Sequence, residues 1–484
     1  MKNNPSDLKA YINTTLDNLS QYLSDSQMSI PKVLHQASPP AIIKELELDR
    51  LLEEGLGSAQ GLDHFLKTYL KHSQHMHHPQ YMGHQVAVPH VASGVSDLIH
   101  GVINNPMGIY EMGPASATLE RVMVNWMLNK VGWLKSDDIY SMDYEMNGGD
   151  GILTHGGSLA NLTALLAARA KANPEAWTEG NDPRLCILAP AVSHYCISRS
   201  ASIMGMGSKS IKHVPVDALE VMRVEQVRKA HKEAIAEGKQ IMALVANACA
   251  TATGLYDPLD EIGHYCNEQG LWFHVDGAHG TSALLSEKHT DKMKGIARAD
   301  SMIWDAHKML RTSALCAAVL VKDYKKLHAT FRQEGSYLFF DKDQIGFDLL
   351  SHTIECTKAP LGTKLFLVLA AEGEKALGEY VDYTYALASK FYDLIKARPL
   401  FDCDYQPQSN ILCFRYNGGD ADSDNLQLEI RNKLTQQGNF YITTSLVSGR
   451  RYLRVTLMND LTTEAHLEGL LDEIEVIANS LRSL

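Results

Sequence analysis

The stretch Leu271–Gly280, LWFHVDGAHG, decides the fold of this chain. It begins with apolar residues, reaches the carboxylate of Asp276 and continues with small residues. This pattern is typical of a buried strand that ends at a binding site, because a carboxylate that is buried without a partner is costly. We therefore expect a cationic group close to Asp276.

A second stretch of the same kind, Ser301–Lys308, reads SMIWDAHK. Its apolar residues predict another buried strand, and Lys308 comes 32 residues after Asp276 (308 − 276). An amine at the end of a buried strand is also costly unless it is paired or used covalently. The two stretches together predict a site that contains both charges.

Outward from these stretches, short apolar runs alternate with helical patterns between about residues 110 and 325. The predicted strands are 151–154, 185–189, 241–246, 271–276, 301–305 and 315–321, and the predicted helices are 158–170, 193–204 and 258–268. This alternation predicts an α/β fold with a mostly parallel sheet covered by helices. In such sheets ligands bind at the carboxyl ends of the strands.

The flanking regions have other patterns. Helical spacing covers 41–52 and 61–70, and strand patterns at 411–416 and 452–457 lie between helical stretches. We predict an N-terminal helical segment over 1–95, a large domain over 96–375 and a small C-terminal α+β domain over 376–484.

Composition excludes several classes of partner. The net charge is −12, from 45 basic and 57 acidic side chains, which argues against nucleic acid or an anionic membrane as the partner. The eight cysteines include no C-x-x-C pair, which predicts reduced thiols and a cytoplasmic protein. We expect no secretion signal from the pattern of the first residues, and no apolar stretch is near the ~20 residues that span a bilayer. The histidines between 72 and 90 fit no metal-ligand spacing, so no metal is expected.

Two further motifs follow predicted strands. Gly156–Asn161, GGSLAN, joins a strand to a helix, where glycines allow close approach of a ligand and the helix start offers free N–H groups to a phosphate. His194 follows the strand predicted at 185–189. Each motif alone is also compatible with a purely structural role.

One cofactor explains all four features. Pyridoxal phosphate needs a lysine amine for its aldehyde, an acid beside its pyridine nitrogen, a flat group against its ring and a helix N-terminus for its phosphate. These are supplied, in that order, by Lys308, Asp276, His194, and Gly157 with Ser158.

From about residue 75 to its end, the chain resembles the group II pyridoxal-phosphate-dependent amino-acid decarboxylases, which include glutamate, cysteine-sulfinate and aromatic amino-acid decarboxylases. The stretches 271–289 and 295–310 resemble the glutamate and cysteine-sulfinate branch. The resemblance implies the aspartate-aminotransferase fold, also called fold type I. It also implies a homodimer with active sites at the subunit interface, in which the N-terminal segment takes part.

The resemblance also implies roles around the cofactor. Lys308 matches the lysine that binds the cofactor, Asp276 the partner of the pyridine nitrogen, and His194 the stacking imidazole. The remaining cofactor contacts that it implies are His307 near the phosphate, Ala278 beneath the ring and Thr251 in a threonine-rich segment.

Three further matches concern the substrate. Tyr337 matches a tyrosine that protonates the substrate carbon after carbon dioxide leaves, and Arg454 matches an arginine that binds a substrate carboxylate. Gln85 falls where members with acidic substrates use a glutamine. The resemblance therefore implies α-decarboxylation of glutamate, aspartate, cysteine sulfinate or cysteate.

The chain departs from the family pattern at several positions. Met107-Gly108 stands where members with acidic substrates carry a bulky aromatic residue on the pocket wall. The others are Gly277 for alanine, His279 for an aromatic residue, Thr281 for glycine, and Asp305-Ala306 for Asn-Pro. The departures at Gly108 and His279 bear on substrate size more than on the chemistry.

Other classes of function compete with this interpretation. An aldehyde synthase, a transaminase or a decarboxylase of an aromatic or other non-acidic amino acid would use the same scaffold. Tyr337 argues against the oxidative members, which often lose that tyrosine. A cofactor-free scaffold protein would have no use for a buried Lys308 and Asp276.

The sequence generates one direct test. Borohydride reduction of the protein with its cofactor bound should fix the cofactor to Lys308. The reagent reduces the carbon–nitrogen double bond between the cofactor and the lysine to a stable single bond. Peptide mass spectrometry checks the position of the label. A label on another lysine would contradict the assignment.

Overall fold

The computed structural model describes residues 4–331, 346–417 and 424–482, and the chain divides into two compact units. The larger unit comprises Gln85–Tyr385 and Pro407–Ser409. The smaller unit comprises Met1–His84, Ala386–Gln406 and Asn410–Leu484. The predicted boundaries at 95 and 375 stay a prediction.

The helices account for much of both units. They are α1 (Pro5–Gln27), α2 (Pro39–Glu45), α3 (Leu48–Glu54), α4 (Ala59–Lys71), α5 (Val91–Ile103), α6 (Pro114–Val131), α7 (Tyr144–Asn147), α8 (Gly157–Ala172), α9 (Cys196–Ile203), α10 (Val224–Ala236), α11 (Leu259–Gln269), α12 (Tyr324–His328), α13 (Leu361–Ala397), α14 (Asp424–Gln437) and α15 (Glu464–Arg482). Helix α13 is kinked at Gly373, which has a φ of 80°.

The strands form two sheets. They are β1 (Asp150–Thr154), β2 (Leu185–Pro190), β3 (Ile211–Val214), β4 (Gln240–Asn247), β5 (Phe273–Asp276), β6 (Ser301–Asp305), β7 (Ala317–Val321), β8 (Phe401–Asp402), β9 (Ile411–Tyr416), β10 (Thr443–Val447) and β11 (Arg450–Thr456). The sheet of the larger unit has the order β1-β7-β6-β5-β4-β2-β3. The sheet of the smaller unit has the order β10-β11-β9-β8, and its pairs are antiparallel.

Strand β7 determines which loops meet at the site. It runs antiparallel to both neighbours, whereas the pairs from β3 to β6 are parallel. Ala317 on β7 is the register partner of Thr154 on β1 and of Asp305 on β6. The carboxyl ends of β1 and β6 therefore lie on the same edge of the sheet, with one residue between them.

A buried ion pair fixes the end of β1. Glu120 on α6 and Lys358 are both almost fully buried, with Lys358 Nζ 2.8 Å from Glu120 Oε1. Leu153 donates its N–H to Glu120 and accepts a hydrogen bond from Lys358 through its carbonyl. The pair thus holds both backbone groups of Leu153 just before the turn at Gly156.

The α/β fold with a mostly parallel sheet is confirmed, and each predicted strand of the larger unit coincides with an observed one. The prediction missed β3, a short strand at the edge of the sheet whose two central residues are partly buried and exposed, respectively. The stretch 41–52, which has helical spacing, is divided between two helices, α2 and α3, because the left-handed backbone of Glu47, with φ of 52°, separates them.

Two further findings bear on the predictions from composition. All eight cysteines are free thiols, and all but Cys356 are buried. Among the described residues, no helix is both long and apolar enough to cross a bilayer.

Candidate active site

The carboxyl ends of β1, β4, β5 and β6 open onto a cavity of about 280 Å³ in the larger unit. This volume is close to the lower end of the ~300–1,000 Å³ range of small-molecule sites. The cavity brings together most of the residues predicted from the sequence: Gln85, Gly157, Ser158, His194, Thr251, Asp276, Ala278, His307 and Lys308.

Two predicted site residues are not among those that line the cavity. Arg454 lies on β11 in the smaller unit, where its side chain is buried and donates to the carbonyl of Gly83 and to Thr443 Oγ1, both at 3.4 Å. Tyr337 falls outside the described residues. The roles of both remain predictions.

Asp276 ends β5 and is oriented by a chain of hydrogen bonds. Asn161 on α8 donates through Nδ2 to Asp276 Oδ2 at 3.0 Å, which leaves its own carbonyl oxygen as an acceptor. His274 Nε2 lies 2.8 Å from that oxygen and therefore carries the proton. His274 Nδ1 then accepts from Ser301 Oγ at 2.9 Å. The order of donation runs from Ser301 through His274 and Asn161 to the carboxylate.

The protonation state of His274 fits this chain. Its imidazole is fully buried, and burial lowers its pKa to about 4. At neutral pH the ring is therefore uncharged, so one nitrogen donates and the other accepts. A charged His274 would instead compete with a cation in the cavity for the Asp276 carboxylate.

Asp276 also provides a test of whether pyridoxal phosphate fits. The carboxylate is 8% exposed and faces the cavity, yet no lysine or arginine within the described ranges forms an ion pair with it. A buried carboxylate in this situation needs a cationic partner. A protonated pyridine nitrogen in the cavity would be that partner, so the Asp276 carboxylate fits the cofactor.

The start of α8 fits the phosphate. Gly156 precedes the helix with φ of 111°, and the helix begins at Gly157. The N–H groups of Gly157 and Ser158 cannot bond within the helix, and they donate to no other group in the part of the chain that the structure describes. They are available to an anion at the positive end of the helix dipole.

His194 and Lys308 complete the site. Burial lowers the pKa of His194, so its imidazole is neutral and suited to stacking on an aromatic ring. Lys308 Nζ lies 3.4 Å from Asp305 Oδ2, and His307 Nε2 lies 3.6 Å from the same oxygen. Asp305 thus holds the lysine at the end of β6.

Sequence reasoning missed Asn161, His274 and Asp305 as site residues. A signal for His274 was present, because it lies two positions before Asp276 in a strand and therefore points to the same face. Asn161 gave no such signal, since its role depends on how α8 crosses the sheet.

A second polar cluster lies in the larger unit, away from these residues. Asp150, His328 and His352 bring potential metal-ligand atoms within 4.8 Å of one another. The two imidazole rings stack, with centroids 4.2 Å and planes 23° apart, so their in-plane lone pairs lie in two different, nearly parallel planes. Asp150 already pairs with Arg121 and with His328. We assign this cluster a structural role that holds α12 against β1.

The hydrogen-bond chain predicts the effect of a change at Asn161. Asn161→Leu should raise the dissociation constant of pyridoxal phosphate about tenfold or more. Leaving buried partners unsatisfied costs about 1–3 kcal/mol, and 1.4 kcal/mol is a factor of ten. Equilibrium dialysis measures the constant, and Thr163→Val, a buried isosteric change on the same helix, is the control. Equal affinity in Asn161→Leu and the wild type would contradict a supporting role for Asn161.

Comparison with known proteins agrees with this geometry. The model of the "Pyridoxal-dependent decarboxylase conserved domain" matches residues 53–417. The acidic amino acid decarboxylase GADL1 of Bos taurus is 30% identical over 457 residues, which cover 90% of this chain and 85% of that protein. The cysteine sulfinic acid decarboxylase of Mus musculus is 28% identical over 473 residues, covering 93% and 92%.

The fold agrees as well. The crystal structure of mouse CSAD superposes with a TM-score of 0.89 at 24% identity, covering 98% of this chain and 99% of that one. The resemblance to the glutamate and cysteine-sulfinate branch is confirmed, and with it the fold type I architecture and the pyridoxal-phosphate cofactor. The chain belongs to the pyridoxal-dependent decarboxylase family, and it is a pyridoxal-phosphate-dependent amino-acid decarboxylase.

Proposed function

We propose that this enzyme removes the α-carboxylate of an acidic L-amino acid and releases carbon dioxide and the amine. The observation that carries the proposal is the meeting of Asp276 and Lys308 in one cavity at the carboxyl edge of the sheet. Both relatives described above are named for acidic substrates, which favours glutamate, aspartate, cysteine sulfinate or cysteate.

When bound, pyridoxal phosphate supplies a protonated pyridine ring that accepts the electron pair left behind by departing carbon dioxide. Asp276 keeps the proton on the ring nitrogen, supported by the donor chain that ends at Asn161. His194 stacks on the ring as a neutral imidazole. Lys308, which lines the same cavity, would hold the cofactor between turnovers.

We assign the last step to Tyr337. Its phenol would deliver a proton to the substrate α-carbon once carbon dioxide has left, which gives the amine and not an oxidised product. The assignment rests on the family resemblance of the stretch Gly335–Phe339, which lies outside the described residues.

The acidic end of the substrate is assigned to Arg454 and Gln85. A guanidinium can hold a carboxylate through two parallel hydrogen bonds, which a lysine cannot reproduce. Arg454 would then discriminate by charge, and Gln85 would add a neutral contact.

The substrate assignment is tested by carbon dioxide release from a panel of amino acids. We expect an acidic amino acid to give the highest kcat/KM, and Arg454→Met to lower that value about tenfold to a hundredfold, since hydrogen bonds to charged groups contribute about 1.5–3 kcal/mol. Arg450→Met, an exposed change on the same strand, is the control. A preference for 2,4-diaminobutyrate, tyrosine or dopa over every acidic amino acid would contradict the assignment.

We further propose that the active form is a homodimer. Helix α5 is unusual because its buried residues are Ser93 and Ser96, whereas its apolar residues face outward. Ser93 Oγ bonds to Ser313, close to Leu315, which lines the cavity and is 46% exposed. Helix α5 is thus held beside the segment that carries Leu315. The exposed apolar residues of α5 are Val91, Val95, Leu98, Ile99, Val102 and Ile103.

A second copy of the chain is the occupant that this face favours, since contiguous apolar surface of this kind marks interaction sites. Val95→Glu should convert the dimer to monomers, because a buried unpaired carboxylate is costly at an interface. Sedimentation velocity measures the mass. Ile235→Glu, at an apolar residue of α10 that is similarly exposed, should leave the mass unchanged. A wild-type monomer, or an unchanged mass for Val95→Glu, would count against the proposal.

We also propose that the protein resides in the cytoplasm. Eight free thiols in one chain favour a reducing compartment, which supports the cytoplasm.

A further inference from the structure

The Asp305 carboxylate occupies an unusual position in the cavity. It ends β6, is 2% exposed and lies against the first turn of α8. Its Oδ2 is 2.8 Å from the point that a Cβ on Gly157 would occupy. Its Oδ1 has no hydrogen-bond partner among the described residues, although it is buried. A carboxylate oxygen therefore remains unsatisfied beside the N–H groups that suit a phosphate.

The groups that face Asp305 come from several elements. Lys308 Nζ and His307 Nε2, which follow β6, lie 3.4 and 3.6 Å from Oδ2. Burial raises the pKa of Asp305, Lys308 and His307 oppose that rise, and the negative charge of Asp276 adds to it. The groups in weaker electrostatic contact are His194, Cys196 and Cys316.

A phosphate at the start of α8 would change this balance. It would bring a charge of about −1.5 to −2 into the space beside Asp305. Two anions that share a desolvated site repel each other, and the usual outcome is that one of them takes up a proton. A protonated Asp305 has an O–H to donate, so the repulsion becomes a hydrogen bond to a phosphate oxygen.

We propose that Asp305 is a phosphate-binding residue that acts in its protonated form, so that the chain takes up one proton at Asp305 when it binds its cofactor. This proposal rests on the cofactor assignment and on a phosphate at the start of α8. It does not depend on which amino acid is decarboxylated, and its test requires no turnover.

The sign of the pH dependence follows directly. If binding takes up a proton, affinity falls as the pH rises through the range in which free Asp305 is ionised. The limiting slope is a tenfold weaker affinity for each pH unit. Asp305→Asn has the same shape and carries N–H donors at every pH, so its affinity should lack this slope.

The experiment measures the dissociation constant of pyridoxamine 5′-phosphate for the cofactor-free protein between pH 6 and 9 by equilibrium dialysis. This probe carries the phosphate but cannot react with Lys308. The ratio of the wild-type constant to that of Asp305→Asn should rise with pH, approaching tenfold per unit. The titration of the probe itself is common to both proteins and cancels in the ratio.

Pyridoxamine without the phosphate is the matched control, and the two proteins should show parallel profiles with it. Two results would overturn the proposal. The first is parallel profiles with the phosphorylated probe, including binding that is equally weakened in Asp305→Asn at every pH, and the second is a pH-dependent ratio that persists with pyridoxamine.

A measurement on the wild type keeps the proposal testable if Asp305→Asn does not fold. Infrared difference spectra should gain the band of a protonated carboxyl group when pyridoxamine 5′-phosphate binds, and gain none with pyridoxamine. Absence of that band with the phosphorylated probe would also overturn the proposal.

Discussion

A carboxylate held in the interior at the end of β5 is the constraint on which the site depends. Taking such an ion out of water costs several kcal/mol, even after the surrounding protein relaxes. Asn161 offsets part of this cost with an amide donor, and the N–H of Ala278 contributes a longer bond of 3.3 Å. The remaining cost is offset only when a cation reaches the open side of Asp276, so the protein alone is incomplete at this point.

The sheet turns this local constraint into a site. Because β7 is antiparallel to both neighbours, Thr154 and Asp305 lie on either side of Ala317. The turn at Gly156 and the lysine at position 308 therefore meet at one edge, although about 150 residues of chain separate them. The Glu120–Lys358 pair fixes the same edge from the other side of β1. The turn at Gly156 thus follows a strand end that is itself held by buried contacts.

Much of this could be predicted from the sequence because the central strands are fully buried and have clear apolar runs. The strand at Ser301–Asp305 was predicted to the residue, since a charge terminates it. Strand β3 was not predicted, because its pattern, IKHV, is half polar and its pairing with β2 arises only in the folded sheet. The site residues on strand ends and at the start of α8 were predictable because the apolar runs show where the strands end. Asn161 was not, because its amide acquires a role only where α8 passes over β5.

The departures from the family pattern are explained by packing. A Cβ on Gly277 would lie 2.1 Å from Thr281 Oγ1, so the larger residue at 281 requires the smaller one at 277, and the two changes compensate. At position 108, a Cβ would lie 2.7 Å from the carbonyl oxygen of Cys356, which leaves no room for the aromatic residue expected there.

Neither Met107 nor Gly108 is among the residues that line the cavity, whereas His279 is. A larger residue at position 108 would therefore disturb the backbone packing around Cys356, and not the wall of the cavity. The substitution at 279, and the carboxylate at 305, change the polarity of the cavity itself. Polarity, more than size, is consequently the property in which this site departs from the family pattern.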